Sequence, residues 1–101
     1  MPDFEWDDKK NKSNKRKHRV DFNKAKEVFD DEHAIEFPGK TRTEVRFLRV
    51  GKTVGKVILA VVYTLRTTII RIISARQANR KEVNTYINHK FTKNQDNEGE
   101  R

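Results

Sequence analysis

Residues Lys56–Arg76 read KVILAVVYTLRTTIIRIISAR, and this stretch decides the fold of the chain. Val57–Val62 is a continuous apolar run, rich in β-branched residues and too short to span a membrane, which predicts a strand buried on both faces. After a short turn, Thr67–Ile73 predicts a second strand whose side chains alternate between the two faces of a sheet. Arg71 is then a cation on a strand of isoleucines. A charge is rarely found in such a place unless it forms an ion pair or has a functional role.

A final helix is predicted directly after this strand. Ser74–Gln77 has the spacing of a capping box, with Ser followed three residues later by Gln, so we expect a helix over Ala75–Asn88. Arg76 would then lie in the first helical turn, where the backbone already favours anions. The end of the chain is polar and aperiodic, which predicts a folded domain over residues 1–90 and a disordered tail over 91–101.

The N-terminal third predicts a short edge strand and two helices. Asp3–Trp6 alternates like an edge strand, and Lys9–His18 forms a polar helix on which Asn14 and His18 share the stripe that would face the protein body. Phe22–Phe29 carries apolar residues at helical spacing and predicts a second helix that belongs to the core.

Two more strands complete the predicted sheet. His33–Phe37 and Thr43–Val50 both have strand patterns, and Gly51–Gly55 predicts a hairpin that leads into the buried strand. The hairpin sequence GKTVG superficially resembles a phosphate-binding loop, but a strand follows where that loop needs a helix. The order is a strand, two helices, a three- or four-stranded antiparallel meander and a C-terminal helix, which predicts an α+β fold in two layers.

Composition excludes several kinds of site. The chain has no cysteine, so disulfides, thiolate zinc sites and a cysteine nucleophile are all excluded. His18, His33 and His89 are far apart and lack metal-ligand spacing, so we expect neither a metal nor another cofactor. The N-terminus, MPDFEWDD, is acidic where a signal peptide would be basic and then apolar, so we expect a cytoplasmic protein without a membrane partner.

Positive charge is concentrated along the predicted sheet. The net charge of the chain is +8, and Val45–Lys81 contains nine cations and no acid. Such a surface is typical of a protein that binds a polyanion such as RNA, although a solvated basic face is the simpler alternative. The basic residues that we expect to contact RNA are Lys17, Lys52, Lys56 and Arg80.

Several short motifs stand out over about residues 3–87: FEWD at Phe4–Asp7, Lys17-His18, VDF at Val20–Phe22 and IRIISAR at Ile70–Arg76. Together they resemble the motifs of the BrnT family of toxins from bacterial type II toxin–antitoxin pairs. The resemblance implies a RelE-like fold and an endoribonuclease that cleaves mRNA, on or off the ribosome, and so inhibits translation. It also implies a hetero-oligomer with a BrnA-like antitoxin that carries a ribbon-helix-helix element.

RNA cleavage without a metal needs a base for the 2′-hydroxyl, cations for the phosphorane and an acid for the leaving 5′-oxygen. Arg46 and Arg71, both expected in the middle of strands, are predicted to contact the phosphate, because a guanidinium fork suits it. The alternative is that they form structural ion pairs, for which Glu44 or Glu82 would be available as partners.

The remaining candidate catalytic residues are Arg76, His18 and Tyr86. His18 is the one histidine within a family motif and could act as base or acid. Alternatively, it could have a structural role and attach its helix to the rest of the protein. Tyr86 could line the cleft, but a tyrosine with apolar neighbours is more often a packing residue. The competing functional hypothesis is a non-catalytic RNA- or ribosome-binding protein; a DNA-binding regulator is disfavoured because no helix-turn-helix pattern is present.

Overall fold

The computed structural model describes residues 2–39 and 43–99, with side chains as far as Lys90. These residues form a five-stranded sheet and three α-helices, with a 3-10 helix over Lys26–Asp30 that continues the second α-helix. None of these helices is long and apolar enough to cross a membrane. In chain order the elements are β1 Asp3–Glu5, α1 Asp8–His18, α2 Phe22–Ala25, β2 Ile35–Pro38, β3 Phe47–Lys52, β4 Ile58–Arg66, β5 Ile69–Gln77 and α3 Arg80–Gly99.

The sheet has the strand order β1-β5-β4-β3-β2. Strands β2 to β5 form the antiparallel meander that the sequence predicts, and the α+β class is confirmed. The prediction of a wholly antiparallel sheet is wrong, because β1 pairs with β5 in parallel, with Glu5 opposite Arg71. The meander leaves one edge of β5 unpaired, and β1 occupies the first part of that edge.

One face of the sheet is covered by the N-terminal helices, and we call it the helix-covered face. Phe22, Ala25 and Val28 are fully buried there. They pack with side chains of β4 and β5, and the members of this core cluster from the two strands are Leu59, Val61, Tyr63, Ile70, Ile72 and Ala75.

Helix α3 lies on the opposite face of the sheet, so the predicted two-layer arrangement is wrong. Tyr86 is 1% exposed and packs with Ile35, Val50 and Ala60 in a second, smaller cluster. Ala60 and its chain neighbour Val61 belong to different clusters because successive strand residues point to opposite faces. The second cluster lies toward the β3–β4 hairpin end of this face, and the partly buried residues packed against it extend as far as Leu48.

Asn14 joins α1 to the sheet and is the buried residue of that helix. Its Nδ2 donates to the carbonyl oxygens of Ala75 (2.8 Å) and Val20 (3.0 Å), and its Oδ1 accepts from the Ala75 N–H (3.0 Å). The amide therefore pairs with the β5 edge beyond the end of β1, as another strand would. The predicted inward position of Asn14 is confirmed, whereas His18 on the same stripe is exposed.

The start of α3 differs from the prediction. β5 continues to Gln77 and pairs with Leu59 of β4, so no helix begins at Ala75. The capping box is formed instead by Asn79 and Glu82: the Asn79 side chain accepts from the Glu82 N–H (2.8 Å), and the Glu82 carboxylate accepts from the Asn79 N–H (2.9 Å).

The end of α3 also differs, because its backbone is helical to Gly99 rather than to Asn88. The predicted disordered tail, 91–101, therefore begins with helical backbone, and residues 100 and 101 lie outside the described residues. The division of the chain at residue 90 stays a prediction.

Candidate active site

A register shift between β4 and β5 decides which side chains share a face. Tyr63 pairs with Ile72 and Val62 pairs with Ser74, so Ile73 has no residue opposite it. This one-residue β-bulge interrupts the alternation of β5, and bulges of this kind are common next to active sites, where they redirect side chains.

The bulge brings two arginines to the same face. In a regular strand, Arg71 and Arg76 would point to opposite faces because their separation is odd. With the extra residue, Arg71 lies opposite Thr64 and Arg76 lies opposite Ala60, and these two β4 residues share one face. Both guanidinium groups therefore lie on the side of the sheet that carries α3.

The part of this face that α3 leaves uncovered is the candidate active site, and we call it the open face. A row formed by Leu48, Val62 and Ser74 crosses three strands at its centre, and all three residues are partly exposed. The residues that define the open face are Glu5, Leu48, Val62, Arg71, Ser74 and Arg76.

Arg71 lies in the middle of β5, as predicted, and is fixed by Glu5. Its Nη1 donates to Glu5 Oε2 at 2.8 Å, and its side chain is 25% exposed. Among the contacts of the described residues, its Nη2 and Nε have no protein acceptor. Arg71 is thus a rigid cation with donors left for a phosphate.

Arg76 is held more completely. Its Nη1 and Nη2 donate to the two oxygens of Glu82 at 2.7 and 2.9 Å, and this pairing lowers the pKa of the Glu82 carboxyl. Arg76 lies on β5, so its predicted place in the first turn of the last helix is wrong, because the strand continues through it. The bidentate pair joins β5 to the cap of α3.

Arg46 lies just before β3, so its predicted mid-strand position is wrong. Its Nε and Nη2 donate to Glu44 Oε1 at 3.1 and 3.0 Å. The adjacent Phe47 pairs with Tyr63, so β4 separates Arg46 from the strand that carries Arg71. Arg46 borders the open face but does not lie on a strand next to the one that carries Arg71.

Helix α1 brings Lys17 and His18 to the β5 edge of the open face. Both are exposed, and they line a cleft of about 190 Å³ together with Ile73 and Ser74. The cleft lies beside the bulge, and Lys10 and Ser13 of the same helix line it as well.

Tyr86 is in the core rather than on the open face. Its hydroxyl donates to Asp31 Oδ2 at 2.6 Å, and burial together with this hydrogen bond raises its pKa. Asp31 also accepts from the backbone N–H groups of Lys52 and His33. Burial opposes ionisation of the Asp31 carboxyl, but these hydrogen bonds outweigh it, so the Asp31 pKa is lowered.

We expect Tyr86→Phe to destabilise the fold by about 1–2 kcal/mol, because Asp31 loses one donor while two backbone donors remain. The rate of the RNA cleavage that the family resemblance implies should not change in the folded protein. Urea denaturation and single-turnover cleavage measure the two quantities. A large loss of rate with unchanged stability would instead support the catalytic role that the sequence predicts for Tyr86.

The predicted RNA-binding residues are spread over the molecule. Lys52 is at the far end of β3 from Arg46, with its ammonium 6.0 Å from the centre of the Tyr86 ring. Lys56 is exposed in the β3–β4 hairpin, and Arg80 is exposed at the start of α3. Of the predicted site residues, the structure therefore brings together Lys17, His18, Arg71 and Arg76, with Arg46 at the border.

Sequence reasoning missed Glu5 and Ser74 as residues of the open face. The alternation that puts Phe4 and Trp6 on one face of β1 implies that Glu5 points to the other, and this was the available signal. For Ser74 the bulge left no comparable signal. Within residues 2–39 and 43–90, no cluster of three or more His, Asp or Glu side chains could hold a metal ion.

Comparison with known proteins agrees with this architecture. The family model described as "Ribonuclease toxin, BrnT, of type II toxin-antitoxin system" matches residues 6–82. The crystal structure of the Brucella abortus ribonuclease toxin BrnT has a similar fold, with a TM-score of 0.60 and 23% sequence identity, over 79% of this chain and 100% of that one. No protein with a curated description matches the chain. Since the family model covers most of its length, the chain belongs to the BrnT family of ribonuclease toxins of type II toxin–antitoxin systems.

Proposed function

We propose that this chain is a metal-independent endoribonuclease of RelE-like type that binds mRNA on its open face, cleaves it and thereby inhibits translation. The observation that carries this proposal is Arg71, a rigid and accessible guanidinium with unused donors on the open face. A preorganised cation of this kind stabilises the negative charge that develops on the phosphoryl oxygens in the transition state, and it needs no reorganisation during the reaction.

The other residues would have graded roles. His18 would transfer a proton as base or acid, and Lys17 beside it would contact the RNA backbone. Arg46 and Arg76 would contribute mainly electrostatic attraction, because glutamates already occupy part of their hydrogen-bonding capacity. The cations farther away would extend the attraction along the RNA strand without sequence preference; these are the partly buried Lys52 and the exposed Lys56 and Arg80.

The proposed partner is a BrnA-like antitoxin that forms a hetero-oligomer with this chain in the cytoplasm. The family description supports an antitoxin in general terms. The net charge of +8 favours an acidic partner, because complementary charge accelerates association and suppresses the binding of RNA by competition.

The test is induced expression of this chain with and without the adjacent open reading frame. Expression alone should arrest growth and produce new RNA ends, and coexpression of the neighbour should restore growth and remove those ends. Unimpeded growth at confirmed soluble expression would contradict the toxin function.

A second candidate is a non-catalytic RNA- or ribosome-binding protein. The observation that favours it is that three candidate arginines form ion pairs, Arg46 with Glu44, Arg71 with Glu5 and Arg76 with Glu82. Under this alternative, single substitutions on the open face would weaken RNA affinity and toxicity in proportion, and no new RNA ends would appear.

A further inference from the structure

The open face contains a carboxylate in contact with its central cation. Glu5 extends from β1 onto the open face, with its side chain 37% exposed, and its Oε2 accepts from Arg71. Among the contacts of the described residues, Glu5 Oε1 has no donor. An accessible carboxylate oxygen without a partner is therefore held next to the guanidinium expected to bind the scissile phosphate.

We propose that Glu5 is the general base of the cleavage reaction, an inference that rests on the proposed ribonuclease function. A phosphate bound by the unused donors of Arg71 would place the neighbouring ribose close to Glu5, which lies on the edge strand β1. The bond between Glu5 Oε2 and Arg71 fixes the carboxylate, so Oε1 can face the 2′-hydroxyl without a loss of side-chain freedom in the transition state.

Other carboxylates are less suited to this role. Both oxygens of Glu82 are occupied by Arg76, and one of them also accepts from the Asn79 N–H. Glu36 accepts from Tyr63 and Arg49 and belongs to the helix-covered face. Glu5 combines accessibility, a free oxygen and contact with Arg71.

The proton balance of the step is complete with groups that the chain and water provide. Glu5 takes the proton of the 2′-hydroxyl, and the 2′-oxygen forms a bond to phosphorus. The bond from phosphorus to the 5′-oxygen breaks, and the leaving oxygen takes a proton from His18 or from water. The products are a 2′,3′-cyclic phosphate and a 5′-hydroxyl, and Glu5 returns its proton to solvent.

The test is Glu5→Gln in the full chain, assayed with a short single-stranded RNA. Glutamine keeps a carbonyl oxygen for the Arg71 bond but cannot accept the proton, so kcat should fall roughly 10²–10⁴-fold, with KM changed only a few-fold. A matched control is Glu36→Gln, because Glu36 forms an arginine pair of 2.9 Å and its side chain is also 37% exposed, but on the other face. The control should retain the wild-type kcat per folded molecule.

A substrate with sulfur in place of the leaving 5′-oxygen separates base from acid, because a thiolate leaves without protonation. The Glu5→Gln defect should persist with this substrate. If the defect disappears, Glu5 acts on the leaving group and the assignment as base is wrong.

Other outcomes are equally decisive. If wild type cleaves RNA and folded Glu5→Gln cleaves within about threefold of it, Glu5 is only a structural partner of Arg71, and the ribonuclease function stands. If wild type does not cleave, both proposals fall.

If Glu5→Gln does not fold, Glu5→Asp takes its place in the test. Aspartate is one methylene shorter and holds the carboxylate farther from the 2′-hydroxyl, so kcat should fall at least about tenfold if Glu5 is the base. An unchanged kcat would overturn the inference.

Discussion

Replacement of Arg71 by alanine should lower kcat for RNA cleavage by about 10²–10³-fold, equivalent to a barrier increase of about 2.7–4 kcal/mol. The reason is that its unused donors would meet the additional negative charge that develops on the phosphate oxygens in the transition state, whereas many other cations share the ground-state attraction to RNA. RNA affinity should therefore fall only a few-fold. Single-turnover kinetics and equilibrium binding to an uncleavable RNA analogue measure the two effects separately.

Two further variants make the Arg71 test specific. Arg71→Lys should recover only part of the rate, because an ammonium lacks the planar fork. Lys24→Ala removes one exposed cation from α2, on the helix-covered side, and should leave kcat unchanged. If Arg71→Ala unfolds the protein while the folded fraction cleaves normally, Arg71 is a structural ion-pair residue, and the site must be sought around His18.

Replacement of Asn14 by alanine should have the largest effect on stability, a loss of about 3 kcal/mol or more. The amide satisfies the N–H and C=O of Ala75 and the C=O of Val20, and each buried backbone group left without a partner costs about 1–3 kcal/mol. Urea denaturation gives the free energy of unfolding. Ser13→Ala, at an exposed position of the same helix, should change it by less than about 0.5 kcal/mol.

Asn14→Asp provides the complementary variant. It retains the oxygen that accepts from Ala75 but loses both donors and introduces a buried carboxyl, so it should destabilise the protein at least as strongly as alanine at neutral pH. A loss below about 1 kcal/mol for both variants would mean that α1 does not depend on this amide for its attachment to β5.

The elements with clear periodicity could be predicted from the sequence. The β-branched run of β4, the apolar stripe of α2 and the inward position of Asn14 each follow from local spacing. The start of α3 could not be fixed in this way, because Ser74–Gln77 and Asn79–Glu82 both have capping-box spacing within one short segment. Pairing of β5 with β4 through Gln77 decides between them, and that is a tertiary interaction.

The candidate site was harder to predict because its geometry depends on long-range pairing. The unpaired Ile73 has no signature in the isoleucine-rich strand, yet it moves Arg76 onto the face of Arg71. The partner of Arg71 is Glu5, 66 positions away in the chain, and only the parallel pairing of β1 with β5 brings them together. The sequence pointed to arginine–glutamate pairs with Glu44 and Glu82, and both glutamates do hold arginines.

The most direct test of the central claim is analysis of RNA ends after incubation with the purified chain in excess EDTA. We expect cleavage products that carry a 5′-hydroxyl and a 2′,3′-cyclic or 3′-phosphate, because the proposed mechanism uses the 2′-hydroxyl as the nucleophile and needs no metal. Intact RNA in the presence of folded protein, or products with a 5′-phosphate that form only after a divalent metal is added, would contradict metal-independent cleavage at the open face.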